Sequence, residues 1–69
     1  IWSGMDMRSL EVFSAVLRAG TATRAAELLR TSQPAVSRTL ARLERAAGMA
    51  LFVRAGGRLL PTEEALLLH

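Results

Sequence analysis

Apolar residues between Arg8 and Ala19 recur at spacings of three and four positions. This is the period of an amphipathic helix, whose apolar face lies against a core. Gly20 follows at a position where helices commonly end. The pattern predicts a first helix over residues 8–19, with these residues on its core face: Leu10, Phe13, Val16 and Leu17.

A second, shorter helix is predicted through Ala25, Ala26, Leu28 and Leu29, and its two leucines are core candidates. Either Thr21 or Thr23 can cap it, because a threonine hydroxyl can accept from the free backbone amides of the first turn. The paired alanines permit close approach by a neighbouring helix. Only Arg30 and Thr31 separate this helix from Ser32, so a short joint fixes the angle between it and the helix that follows.

The third predicted helix begins at Ser32, whose hydroxyl can cap its first turn. Pro34 is tolerated there because amides in the first turn have no acceptor within the helix. At about 100° per residue, four apolar residues fall in one narrow stripe that faces the core. They are Val36, Leu40, Leu43 and Ala47, and Gly48 ends the helix.

Two short apolar segments, residues 51–54 and 58–60, flank the pair Gly56 and Gly57, a pattern typical of a β-hairpin. Pro61 closes the second strand. Thr62 can then cap a fourth helix, in which two acidic residues follow where the helix dipole favours them. Two turns of that helix precede the end of the sequence at His69.

The 69 residues form one domain at most, and a chain of this length buries only about 60% of its unfolded surface. Hydrophobic residues make up 51% and aromatics only 4%, which favours a helical domain. The first four residues fit this pattern poorly, and Met5 resembles a natural start. We expect a loose extension or an expression remnant at residues 1–4, a domain at residues 5–61, and the start of a truncated linker helix at residues 62–69.

The composition excludes several classes of function. There is no cysteine and only one histidine, so disulfides, thiolate chemistry and a metal site are not expected. No apolar run approaches the roughly 20 residues that span a bilayer, and no secretory signal is visible, so a cytoplasmic protein is expected. The carboxylates are scattered at solvent or cap positions, and no catalytic group of residues forms. We therefore expect a chain that is not an enzyme.

All nine basic residues are arginine, and the net charge is +3. On the third helix, the side opposite the apolar stripe carries Arg38, Arg42 and Arg45 with small residues between them and no carboxylate. Such a face can simply be solvated. It also has what a helix in the major groove of DNA needs, since small side chains permit close approach and arginines neutralise phosphates. The polar residues at its amino end that can reach bases are Ser32, Gln33, Ser37 and Arg38.

The surroundings of this helix favour the second interpretation. A short joint, a preceding alanine-rich helix and a hairpin with an arginine on each strand predict a mainly α fold, the winged helix-turn-helix. Gln33 can pair with adenine or only face solvent. Arg54 and Arg58 can contact phosphates or the minor groove, or only keep the hairpin soluble. Thr23 and Ser32 can donate to phosphate as well as cap a helix.

Four segments, AAELL, SQPAVSR, LARLE and LF-x-R, carry a family likeness. From Met5 to about Leu68 the chain resembles the N-terminal DNA-binding domain of bacterial LysR-type transcriptional regulators. The resemblance implies a third helix in the major groove and a hairpin wing whose arginines, Arg54 and Arg58, contact DNA. The residues that it places at or near DNA in and before the third helix are Thr31, Ser32, Gln33, Pro34, Ser37, Arg38 and Arg42.

The resemblance also implies features beyond the DNA surface. A long linker helix pairs two subunits in this family, so Leu66, Leu67 and Leu68 are expected to face a partner in a homodimer. Family members carry a C-terminal domain that binds a small-molecule effector, so the chain is expected to be a fragment without a cofactor of its own. This chain has Glu64 and Ala65 where the family commonly has alanine and glycine at the entry to the linker helix.

The sequence thus predicts sequence-specific binding of double-stranded DNA by a bacterial regulator. Two other functions remain open at this point. One is a protein-interaction module in which the third helix is only a solvated face, without direct DNA contact. The other is binding of structured RNA, which would prefer an A-form duplex or a loop.

Overall fold

The structure is a computed structural model and describes residues 7–68. All six predicted elements are present, and together they form three helices, a two-stranded antiparallel hairpin and a short last helix. The proposed extension at residues 1–4 lies outside the described residues, as does the side chain of Leu68. The elements are α1 (Met7–Ala19), α2 (Ala22–Leu29), α3 (Gln33–Ala47), β1 (Phe52–Ala55), β2 (Arg58–Pro61) and α4 (Glu63–Leu68).

Small residues at the ends and on the faces of α1 and α2 let these helices pack closely. Ala15 and Ala25 are completely buried. Gly20 ends α1 in the left-handed region at φ +83°, as the sequence predicts, and its amide donates to the carbonyl of Val16 at 2.9 Å. Thr21 is the cap of α2, because its Oγ1 accepts from the amide of Arg24 at 3.1 Å.

The turn between α2 and α3 is formed without a glycine. Arg30 adopts φ 56° and ψ 47°, and within residues 7–68 it is the one non-glycine residue with positive φ. The amide of Thr31 donates back to Ala26 at 2.9 Å, which closes the turn. Ser32 Oγ then accepts from the amide of Ala35 at 3.2 Å, so Ser32 caps α3 with Pro34 in the first turn, as predicted.

The core lies where α1, α2 and α3 meet the root of the hairpin. Three of the four predicted stripe residues of α3 are buried: Val36, Leu40 and Leu43. Phe13 of α1 meets Phe52 of β1 edge to face, with ring centroids 5.6 Å apart. This aromatic pair joins the first helix to the first strand, because the edge of one ring is attracted to the face of the other.

Two predicted core positions are wrong. Leu10 is 41% exposed and Leu28 is 58% exposed, whereas Leu17 and Ala47 are partly buried and pack against the core. On α1 the buried arc contains Val12 and three neighbours, and it is centred well away from Leu10. On α2 the contact face consists of alanines, and Leu28 points away from them. The predicted helical period of apolar residues is correct in both helices. The positions of large apolar residues alone, however, do not show which side of a helix is buried.

The hairpin has the register Phe52↔Pro61 and Ala55↔Arg58, which leaves the two glycines at its tip. Gly56 and Gly57 both have positive φ, as a tight two-residue turn requires. Thr62, directly after β2, connects the last helix to the segment that precedes β1. Its hydroxyl donates to the carbonyl of Ala50 at 2.9 Å and accepts from the amide of Ala65 at 3.1 Å, which caps α4.

One carboxylate lies where the sequence did not predict it. Glu44 was expected at a solvent or helix-cap position. Instead its Oε2 accepts from the backbone amides of Leu51 at 2.8 Å and Phe52 at 3.2 Å. The side chain thereby joins α3 to the start of the hairpin. Local sequence patterns do not report this contact, because it bridges two elements across the loop that connects them.

Candidate nucleic-acid interface

The outward face of α3 is a shallow, positively charged surface. Arg38, Arg42 and Arg45 are exposed, and Ala41 lies between them, partly buried. These residues, with Ala35 and Thr39, line a depression of about 410 Å³ to which no carboxylate of the described chain contributes. Arg42 is additionally oriented by a long hydrogen bond, 3.4 Å, from its Nη2 to Thr39 Oγ1. The arrangement places three guanidinium groups around a narrow strip of small side chains.

The amino end of α3 carries polar groups in a fixed arrangement. Gln33 donates from Nε2 to Ser37 Oγ at 2.6 Å, one helical turn further on. An amide nitrogen has a second hydrogen to donate, and the Gln33 carbonyl oxygen is also available. The side chain is therefore held by one hydrogen while it keeps a donor and an acceptor for a ligand. Ser32 and Pro34 are exposed beside it, and Thr31 is partly buried.

Arg54 lies next to this face. Its cross-strand partner is Leu59, so both side chains are on the hairpin face that is turned towards α3. Arg54 lines a cleft of about 220 Å³ together with Ser37, Ala41 and Glu44 of α3. Glu44 is the one carboxylate in this cleft, and its Oε2 is engaged by backbone amides. The structure therefore brings Arg54 together with the predicted residues of α3.

Arg58 lies at a different place from Arg54. Its guanidinium packs against Gly20, where Nη2 is 2.6 Å from the position that a Cβ would occupy. The adjacent amide of Leu59 donates to the carbonyl of Gly20 at 2.8 Å. Successive residues of a strand alternate between its two faces. Arg54 shares a face with its partner Leu59, so Arg58, which is next to Leu59 on β2, lies on the opposite face.

Arg58 shares its cleft with two arginines that no sequence pattern marks as DNA contacts. Arg18 at the end of α1 and Arg24 in the first turn of α2 line the same cleft. Thr23 is exposed in that first turn, directly before Arg24. No sequence signal marks these residues as a group, because they lie on separate elements and come together only at the corner between α1, α2 and β2.

The last helix exposes large apolar side chains. Leu66 is 59% exposed and Leu67 is 87% exposed, whereas Ala65 is buried against the rest of the domain. That these two leucines face a partner stays a prediction. In the part of the chain that the structure describes, no helix has the length and apolarity to cross a membrane. The same residues contain no group of three metal-ligating side chains.

Comparison with known sequences agrees with the family resemblance seen in the sequence. The sequence model described as bacterial regulatory helix-turn-helix protein, lysR family, matches residues 7–66. The transcriptional activator protein LysR of Escherichia coli (strain K12) is 52% identical over 64 residues, which are 93% of this chain and 21% of that protein. The chain spans about a fifth of the length of the curated relatives that it matches.

Solved structures resemble the fold closely. The chain in the crystal structure of a CbnR_DBD-DNA complex superimposes with a TM-score of 0.88 at 33% identity, covering 93% of this chain and 74% of that one. A transcriptional regulator of the LysR family from Eggerthella lenta DSM 2243 superimposes with a TM-score of 0.85 at 42% identity. That match covers 93% of this chain and 91% of the other.

Proposed function

The chain belongs to the bacterial LysR family of helix-turn-helix regulatory proteins, and on that premise we propose that it recognises double-stranded DNA by sequence. The family consists of transcriptional regulators, and the chain is not an enzyme. The CbnR_DBD chain, whose fold this chain shares, is in a complex with DNA. A DNA-binding function accounts for the winged helix-turn-helix fold and for the distribution of its arginines.

The single observation that carries the proposal is the outward face of α3. Three guanidinium groups surround Ala41 there, and no carboxylate of residues 7–68 lines the depression between them. A helix enters the major groove when its exposed side chains are small enough for close approach and its flanks attract phosphates. The face meets both requirements at once, whereas a solvated face needs neither the small residues nor the missing acids.

Within this proposal the predicted residues divide by the part of DNA that they meet. Gln33, Ser37 and Arg38 lie at the amino end of α3 and read base edges, since arginine pairs with guanine and glutamine with adenine. The residues that position the helix on the sugar–phosphate backbone are Thr23, Thr31, Ser32, Pro34 and Arg42. Arg54 lies beside α3 and Arg58 at the α1–α2 corner, so the two arginines contact DNA at different places.

The proposal extends to the protein of which this domain is part. Leu66, Leu67 and Leu68 belong to a helix that pairs two subunits, so the intact protein binds as a dimer to two half-sites about one helical turn of DNA apart, or a multiple of that. A small-molecule effector binds a separate domain. The protein works in the bacterial cytoplasm, where its DNA is.

Selection of bound duplexes from a random DNA pool tests the proposal. The selected duplex should bind far more tightly than a shuffled duplex of the same length, and also more tightly than RNA of the same length. Binding should weaken steeply with salt, and the logarithm of the association constant should fall with the logarithm of the salt concentration with a slope of about −0.9 per phosphate contact. A pool from which no sequence is enriched would contradict the proposal and favour a protein-interaction module. Preference for the RNA would favour the RNA-binding alternative.

A further inference from the structure

The corner between α1, α2 and β2 contains a second concentration of positive charge, which we term the arginine cleft. It has a volume of about 490 Å³ and is lined by Arg18, Ala19, Arg24, Glu27, Leu28 and Arg58. Three guanidinium groups thus face one carboxylate. Among residues 7–68 the one ion pair joins Arg8 and Glu11, so none of the three cleft arginines is neutralised by Glu27 at contact distance.

The cleft is built rather than formed by chance contact of loose side chains. The amide of Leu59 donates to the carbonyl of Gly20 at 2.8 Å, which fixes the start of β2 against the α1–α2 corner. Gly20 has no side chain, and the Arg58 guanidinium occupies the space that a Cβ would need, with Nη2 2.6 Å from that position. The absence of a side chain at Gly20 thus lets Arg58 lie against the α1–α2 corner.

The backbone adds to the positive potential at this corner. The first turn of α2 begins beside the cleft, and the amino end of a helix carries a partial positive charge. Thr21 already accepts from the amide of Arg24, so the cap is satisfied without a ligand. Thr23 is exposed in the same turn and offers a hydroxyl. Thr23 does not line the cleft itself, and the guanidinium groups and the helix amino end there are together suited to an anion with several oxygens.

We propose that the arginine cleft holds phosphate groups of the same DNA duplex that α3 reads, outside the groove that α3 occupies. This inference rests on the proposed function. Guanidinium groups match the geometry of phosphate oxygens and carry no information about base sequence. Arg58 is then a contact to the backbone and not a reader of the minor groove, and Arg18 and Arg24 join the DNA-binding surface with it.

Charge-neutral substitutions in the cleft test the proposal. Arg58→Gln and Arg18→Gln should each weaken binding to the selected duplex and to a shuffled duplex by the same factor, roughly three- to tenfold at moderate salt. Each should also reduce the magnitude of the salt slope by about one. Arg18 is exposed at the end of α1, so its substitution keeps the test valid if Arg58→Gln disturbs the corner.

Arg8→Gln is the matched control, because it makes the same charge change on α1. It lies ten residues before Arg18, about 15 Å along the helix, which exceeds the screening length of about 10 Å at 0.1 M salt. Arg8→Gln should leave the salt slope unchanged. Cleft variants that behave like Arg8→Gln, or that weaken only the selected duplex, would overturn the proposal.

Substitution on the DNA identifies the contacted phosphates. In a set of duplexes, one phosphate at a time is replaced by a neutral methylphosphonate. At one position outside the α3 half-site, this replacement should weaken binding of the parent protein but should not further weaken binding of Arg58→Gln. Equal losses in parent and variant at every position would overturn the cleft proposal while the proposed function stands. A parent that prefers no duplex refutes the proposed function itself, so the two failures are distinguishable.

Discussion

The carboxylate of Glu44 lies 2.8 Å from the backbone nitrogen of Leu51, and the same oxygen accepts from the next amide at 3.2 Å. Leu51 is completely buried at the root of the hairpin. Glu44 therefore satisfies two amides at the point where the chain leaves α3 and its following turn to form the wing. Because the wing carries Arg54 and Arg58, this contact also holds two of the proposed DNA contacts in position.

Glu44→Ala should lower the free energy of unfolding by about 2–3 kcal/mol, since it leaves two partly buried amides without an acceptor. Thermal denaturation followed by circular dichroism measures the loss. Glu27→Ala is the matched control, because Glu27 is exposed on α2, and a surface substitution of this kind stays within about 0.5 kcal/mol. Equal stability of the two variants would show that the amides of residues 51 and 52 donate to water when Glu44 is absent.

Arg38→Ala should weaken binding to the selected duplex by roughly five- to a hundredfold and reduce the preference over a shuffled duplex, because Arg38 is placed to read a base. Fluorescence anisotropy with both duplexes measures this. Arg45→Ala makes the same change near the end of the same face and should weaken binding to both duplexes by one equal factor, so that the preference between them is unchanged. An Arg38→Ala variant that binds as well as the parent would remove the assigned role of α3.

The hydrogen bond between Gln33 and Ser37 predicts a non-additive effect on base preference. Ser37→Ala releases the Gln33 amide and should cost about fivefold in affinity at one A·T position. Gln33→Ala should affect that same position, and the double variant should lose less than the product of the two single losses. Titrations against duplexes with single base changes measure the coupling. Ser14→Ala on α1 is the control, and multiplicative losses at Gln33 and Ser37 would contradict the prediction.

Arg30→Gly should raise the free energy of unfolding by about 0.5–1 kcal/mol. Arg30 holds φ 56° in the turn before α3, a conformation that costs an L-residue more than it costs glycine. The control is Arg42→Gly, the same replacement in the interior of α3, which should lower stability by about 1 kcal/mol. Denaturant unfolding of both variants checks the opposite signs, and a destabilised Arg30→Gly would mean that the arginine side chain itself stabilises the turn.

A feature of the fold can be predicted from the sequence when the residues that determine it lie close together along the chain. Gly20, Gly48 and the glycine pair at 56 and 57 end or turn the chain at those positions, because each allows positive φ. Ser32 caps α3 as predicted. These signals act within a few residues, so the elements and most of their boundaries can be predicted without the tertiary structure.

The buried arcs were less predictable than the elements. In α3 the arc follows the large residues Val36, Leu40 and Leu43. In α1 and α2 the arc includes alanines, because close packing of the two helices needs small side chains more than large ones. Leu28 is exposed for that reason, whereas Leu10 lies outside the arc that Val12, Phe13 and Val16 form on α1. A prediction based on side-chain size alone therefore placed these two leucines in the core, although the predicted helical period was correct.

The sequence by itself determined the order of the elements, the arginine face of α3 and the family to which the chain belongs, since all three depend on residues that are close along the chain. The tertiary structure decided which distant residues meet. It joined Glu44 to the root of the hairpin, separated Arg54 from Arg58, and brought Arg58 to Gly20 beside Arg18 and Arg24. The physical reason is that these contacts depend on strand alternation and on the packing angle between helices, which no local pattern of residues specifies.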